Sequence, residues 1–100
     1  VPFGINSFIF QEVLQGAKSE REYDALKRYL SSQRFYHPIH PIDSFAAAAR
    51  IYFDCRRSGL TIRSTIDCVI AQTAIEHNLL LLHDDRDYEA IGSVVPLKFY

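Results

Sequence analysis

The 100-residue sequence predicts an α/β layer fold with a mostly parallel central sheet. Helical periodicities and short apolar runs alternate along the chain, the order that places helices over a parallel sheet. The run from Leu79 to His83 is too short for a helix in its setting and reads as a buried parallel strand. Gly16, Gly59 and the prolines at 38 and 41 fall between the periodic stretches and punctuate them.

Taken in order, Pro2 to Ile5 reads as a short strand, after which Asn6 or Ser7 caps a helix carrying Phe10, Val13 and Leu14 at helical spacing. Gly16 ends it. Ser19-Glu20-Arg21-Glu22 is a capping-box pattern opening a second helix, with Tyr23, Leu26 and Leu30 as its buried stripe and Lys27 and Arg28 outside. The two helices form a hairpin. Phe35 to Pro38 is a short extended piece, and Pro38 and Pro41 keep the next link out of helix. Asp43 or Ser44 caps a third helix through Phe45, Ala48, Ala49 and Tyr52 to Arg57, ended by Gly59. A fourth helix runs from Ser64 to near Asn78, Arg86 to Ile91 form a helical turn, and Pro96 to Tyr100 a final strand.

A chain that is 48% hydrophobic and 13% aromatic at this length makes a single domain, residues 1–100, with no room for a second. Its formal net charge of -1 excludes global attraction as the basis of nucleic-acid binding, so a local basic patch has to supply it. Cys55 and Cys68 form no C-x-x-C pair and suit buried thiols in a reducing compartment, so a cytoplasmic location is expected. No apolar run approaches the ~18 residues that span a membrane, and no membrane partner is expected.

The fold brings two acidic positions together. Asp67 lies near the start of the fourth helix, from which the chain travels roughly 15 Å before turning near His77. The strand from Leu79 then covers roughly 20 Å back, leaving Asp85 level with Asp67. In sheets of this kind sites form beyond the carboxyl ends of the strands, and Glu12, Asp67, Asp84, Asp85 and Asp87 project toward that end. Converging carboxylates repel unless a cation offsets them, and Mg²⁺ or Mn²⁺ is the economical choice. Such an ion makes a bound water more acidic and steadies charge on a phosphate, which is phosphodiester-hydrolysis chemistry.

Each residue also has a plainer reading. Ser64-Thr65-Ile66-Asp67 satisfies the S-x-x-D capping pattern, Glu12 is an ordinary helical glutamate, and Asp84, Asp85 and Asp87 suit a polar turn. Placement at one end of the sheet is what weighs against reading them singly. Arg56, Arg57 and Arg63 form a basic cluster near the acids, and Arg86 adds to it. Histidines 37, 40, 77 and 83 lack a matching cysteine pair for zinc, and Ser64 lies in no G-x-S-x-G elbow.

Three segments together carry a resemblance over nearly the whole chain: Phe10-Gln11-Glu12-Val13-Leu14-Gln15-Gly16, Arg63-Ser64-Thr65-Ile66-Asp67-Cys68, and Leu81-Leu82-His83-Asp84-Asp85-Arg86-Asp87-Tyr88. The sequence resembles PIN-domain ribonuclease toxins of the VapC type. The resemblance implies a three-layer α/β/α fold and a Mg²⁺- or Mn²⁺-dependent endoribonuclease. It implies Glu12, Asp67 and Asp85 as catalytic metal ligands and Asp87 as an accessory one, with Arg63, Ser64 and Arg86 against RNA. It also implies a homodimer and a VapB-type antitoxin, an arginine of which pairs with the acids. Single-stranded loops expose a reachable backbone, which favours a structured RNA such as a transfer RNA.

The family's first acid, at the end of an N-terminal central strand, has no counterpart after Val1. The expectation is therefore a fragment lacking that strand, from a protein with roughly 30 or more further N-terminal residues. A second copy's strand filling the gap is one consequence; another is that this chain alone is inactive. The competing function is a non-catalytic PIN-like module that binds protein. A DNA or flap nuclease is a third, and demands a larger gripping surface.

Overall fold

The computed structural model describes residues 4–81 and 86–99, which divide into two units, Val1–His37 and Pro38–Tyr100. In the first unit, β1 (Gly4–Ile5) leads into α1 (Ser7–Gln15), α2 (Glu20–Ser31) and β2 (Arg34–Phe35). Of the two expected caps, Asn6 is the one used. Its backbone is extended, and its Oδ1 accepts from Phe8 N at 2.7 Å and Ile9 N at 3.3 Å, satisfying two of the amides a helix start leaves unpaired. Ser19 caps α2, its Oγ accepting from Glu22 N at 3.1 Å. The Glu22 carboxylate returns not to Ser19 but to Lys18 N at 3.4 Å, so the capping box closes one residue early.

α1 and α2 pack as the expected hairpin and bring β2 back parallel to β1, with Gly4 opposite Arg34 and Ile5 opposite Phe35. Tyr36 N donates to Ile5 O at 2.8 Å and extends the pairing. Gly4 is needed here because a Cβ would run into the Tyr36 ring. Phe10 meets Phe35 edge-on at 5.3 Å, and His37 stacks on Phe35 at 6.1 Å with its Nδ1 3.3 Å from Ser7 Oγ. One expectation needs correcting. The α2 stripe is not buried: Tyr23 is 41% exposed and Leu26 and Leu30 are half-buried, so periodicity marked the right face without a core behind it.

The second unit holds α3 (Asp43–Arg57), α4 (Thr65–Glu76), β3 (Leu80–Leu81), α5 (Arg86–Gly92) and β4 (Lys98–Phe99). Ser44, Ala48, Ile51 and Cys55 recur at spacings of four, three and four residues and form the buried face of α3. α4 is apolar nearly all round and sits against α3, α5 and β3, burying Cys68, Ile70, Ala71, Thr73 and Ala74. Ile62, Tyr88, Ile91 and Leu97 complete the core. β3 pairs parallel with β4, Leu80 opposite Lys98 and Leu81 opposite Phe99, so the predicted parallel sense holds in both described pairings. The expected strand from Leu79 to His83 and the last strand's Tyr100 extend outside the described residues.

Both long helices of this unit end in Schellman turns. At α3 the positive-φ residue is Gly59 (φ 80), with Leu60 N bonded to Cys55 O at 2.8 Å and Gly59 N to Arg56 O at 3.1 Å. At α4 it is Asn78 (φ 55), with Leu79 N bonded to Ala74 O at 2.8 Å and Asn78 N to Ile75 O at 3.1 Å. Lys98 Nζ donates to Asn78 Oδ1 at 2.7 Å and ties β4 to that turn.

The start of α3 departs from expectation. Neither Asp43 nor Ser44 caps it; the cap position is Ile42, without a side-chain bond, and Asp43 is the first helical residue. Ser44 is buried and committed elsewhere. Its Oγ accepts from His40 N at 2.9 Å and donates to Glu76 Oε2 at 2.6 Å. Glu76 also accepts from Ile39 N at 2.8 Å and Gln72 Nε2 at 2.9 Å, fastening the proline link to the end of α4. Burial pushes this carboxyl upward, but the bonds from Ile39, Ser44 and Gln72 and the nearby His40 outweigh it and hold it below the ordinary glutamate range.

Candidate active site

The candidate site is the N-terminal end of α4. Ser64 stands at the cap position in extended conformation, yet its side chain makes no capping bond. The amides just ahead of the helix are instead satisfied by a residue more than twenty positions away. Asp87, in the first turn of α5 and 3% exposed, accepts through Oδ2 from Arg63 N at 2.9 Å and from Ser64 N at 3.3 Å. Its Oδ1 accepts from Arg63 Nε at 3.3 Å. A buried carboxylate is costly unless paired and hydrogen-bonded, and three donors meet that requirement here. The Arg63 side chain is 67% exposed, with its Nε held by Asp87.

Asp67 is the third residue of α4 and half-buried. Tyr88, adjacent to Asp87 on α5, donates its hydroxyl to Asp67 Oδ1 at 3.1 Å. The Tyr88 ring belongs to the core, so the hydroxyl sits at the tip of a packed arm. The positive end of the α4 dipole adds a field that favours negative charge at this place. The chain therefore does return from β3 to the start of α4, as its lengths in helix and strand require.

The other expected residues fall as follows. Glu12 is exposed on α1 in the first unit. Asp84, Asp85 and the Arg86 side chain lie outside the described residues. Among the described residues no three His, Cys, Asp or Glu side chains gather as a metal cluster. Asp87, expected as an accessory ligand, spends both oxygens on Arg63 and Ser64, which is the arrangement of an anchor. Of the basic cluster, Arg57 lies over the Phe53 ring at 5.6 Å, and Arg50 covers the same ring at 5.0 Å while pairing with Asp54 at 3.0 Å. Arg56 is exposed near the end of α3.

The donor chemistry fits a hard divalent cation, because Asp67 offers carboxylate oxygen at a helix start and its neighbour Cys68 offers no thiolate. Burial, then the charges of Cys55, Asp67 and Asp87, push the Cys68 thiol up to about 11, so it stays protonated at neutral pH. Cys55 is likewise buried, its thiol raised first by desolvation and then by Asp54. Both are free cysteines packed in the core.

Tyr88, bonded to Asp67, had no role of its own in the sequence reading. The available signal was a phenol directly after the acidic turn, an aromatic whose hydroxyl needs a partner when buried.

Residues 2–94 match the PIN domain family. The chain is 37% identical over 90 residues to VapC ribonuclease Mb1587 of Mycobacterium bovis and to ribonuclease VapC11 of Mycobacterium tuberculosis. It is 34% identical over 88 residues to ribonuclease VapC17 of Mycobacterium tuberculosis. The matches cover 90% and 85% of this chain, which spans 66% of the length of the first two relatives and 64% of the third. Among the described residues, no helix is long and apolar enough to cross a membrane.

Proposed function

The chain belongs to the PIN-domain family, and on that premise we propose that the protein is a VapC-type toxin, a Mg²⁺- or Mn²⁺-dependent endoribonuclease built on a single PIN-like domain. The observation that carries this reading is Asp67, a half-buried carboxylate at a helix start, supported by a neighbouring helix that satisfies the surrounding donors. Its similarity to VapC ribonucleases supports the substrate class.

In this reading Glu12, Asp67 and Asp85 hold the cation, which when bound acidifies a water and steadies the charge that develops on phosphate. Asp67 contributes oxygen and negative charge. Asp87 keeps the Arg63–Ser64 turn in place, and Arg63 brings positive charge toward an RNA phosphate in this reading. Ser64 and Arg86 are the other residues this reading assigns to RNA. The reaction adds water across a phosphodiester, breaking one P–O bond and leaving a phosphate and a hydroxyl end. A structured RNA with single-stranded loops, such as a transfer RNA, is the favoured substrate. The partners of this reading are a second copy and a VapB-type antitoxin bringing an arginine to the acids, in the cytoplasm.

The test is cleavage of a labelled structured RNA by the protein after chelation and after return of Mn²⁺. Cleavage should appear only with the ion, and alanine at Asp67 or Asp85 should abolish it while circular dichroism stays unchanged. Full activity in both variants would overturn the carboxylate-metal reading.

A further inference from the structure

We propose that α5 works as a positioning device for Asp67, with Tyr88 holding its carboxylate by the hydroxyl bond and Asp87 removing the alternative that would turn that carboxylate away. The proposal rests on the reading of Asp67 as a cation ligand.

An acid three residues after a serine cap has a competing use. In a capping box it folds back and accepts from the backbone amide of the cap residue, here Ser64 N. That amide is already engaged, since it donates to Asp87 Oδ2 at 3.3 Å. Arg63 N, one residue earlier, donates to the same oxygen at 2.9 Å. The turn that would draw Asp67 inward is thus satisfied from α5. The next residue of α5 then takes hold of Asp67 itself, Tyr88 Oη reaching Oδ1 at 3.1 Å.

The arm that does this is stiff. Tyr88 is 9% exposed and its ring packs in the same core as Ile91 and Cys55, so few torsions remain to be fixed. A carboxylate tethered at one oxygen by a fixed phenol has its direction set before any cation arrives. Groups that orient a metal-binding side chain in this way are worth roughly 10–100-fold in affinity or activity. Tyr88 touches neither substrate nor cation in this scheme; it acts through Asp67.

Tyr88→Phe removes the hydroxyl and keeps the ring. The experiment is Mn²⁺ titration of the protein by calorimetry, for wild type, Tyr88→Phe, Asp67→Asn and the double variant, with thermal melts of each. The expected result is about a tenfold or greater loss of Mn²⁺ affinity in Tyr88→Phe with a near-unchanged melt. Asp67→Asn should lose the site, and Tyr88→Phe should add nothing in that background. Wild-type affinity in Tyr88→Phe beside a defective Asp67→Asn would overturn the positioning role alone. An Asp67→Asn variant that titrates like wild type would overturn the ligand reading and this proposal with it. If Tyr88→Phe melts early, Ile91→Val decides, since it loosens the same core without removing the hydroxyl: an equal loss of Mn²⁺ affinity there would mean a merely structural role for Tyr88 and would overturn the proposal.

Discussion

The two units of this chain follow the same local rules and end in different states. Among the described residues each has one parallel strand pair, but the second unit buries Ala48, Ile51, Cys55, Cys68, Ala71 and Ile91 together, while Leu14 is the buried hydrophobic residue of the first unit's described part. In the first unit Ile9, Val13 and Tyr23 stand 37%, 40% and 41% exposed on helices with correct amphipathic spacing. The difference teaches that periodicity selects the face a helix would bury, whereas burial itself depends on what other elements bring to that face.

The strongest way to break this comparison is to cut a side chain from each unit. Ile91→Ala, at a fully buried position, should cost about 2–5 kcal/mol in urea unfolding, since transfer and cavity terms add. Tyr29→Ala on α2, where the side chain is 66% exposed, should stay within roughly 0.5 kcal/mol. Equal losses would show that burial is not what separates the two positions.

Asp87→Ala sharpens the picture at the site. It leaves the amides of Arg63 and Ser64 without their buried acceptor, an expected loss of about 1–3 kcal/mol by thermal or urea melts. A neutral result would mean that water replaces the carboxylate and that the α5 anchor is dispensable.

Glu76 gives a pH signature confined to the second unit. Its folded carboxyl lies below the ordinary glutamate range, so its contribution is complete above that range and is lost as pH falls through the folded value. Wild type should therefore lose stability on acidification below the ordinary range more steeply than Glu76→Gln, read as the slope of melting temperature against pH. Parallel slopes would remove Glu76 from the account. Ser19→Ala should fray the first turn of α2 by about 1 kcal/mol, seen as faster hydrogen exchange at Glu22.

What the sequence made legible was local, and what it hid was distant. Asn6, Ser19 and Gly59 act within a few residues of themselves, and each was readable from its neighbours. Ser64 shows the limit. Its S-x-x-D pattern with Asp67 is a sound capping signal, but the acceptor that satisfies the turn is Asp87, which only the tertiary fold brings there. Ser44 was misread for the same reason, drawn from capping α3 to a bond with Glu76 on α4. Asp67 was legible as an acid at a helix start, whereas Asp84 and Asp85, expected beside it, lie outside the described residues. The role of Tyr88 was not legible, because an aromatic in that position reads equally as core, and here it is both core and hydrogen-bond donor.

A divalent cation is proposed to bind beside Asp67, at the end of α4 that α5 secures. The most direct measurement is amide broadening in ¹⁵N-labelled protein titrated with substoichiometric Mn²⁺. The expected result is broadening that includes Ser64 to Asp67, and its disappearance there in Asp67→Ala. Broadening that spares these residues, in a protein that still cleaves RNA with Mn²⁺, would contradict it.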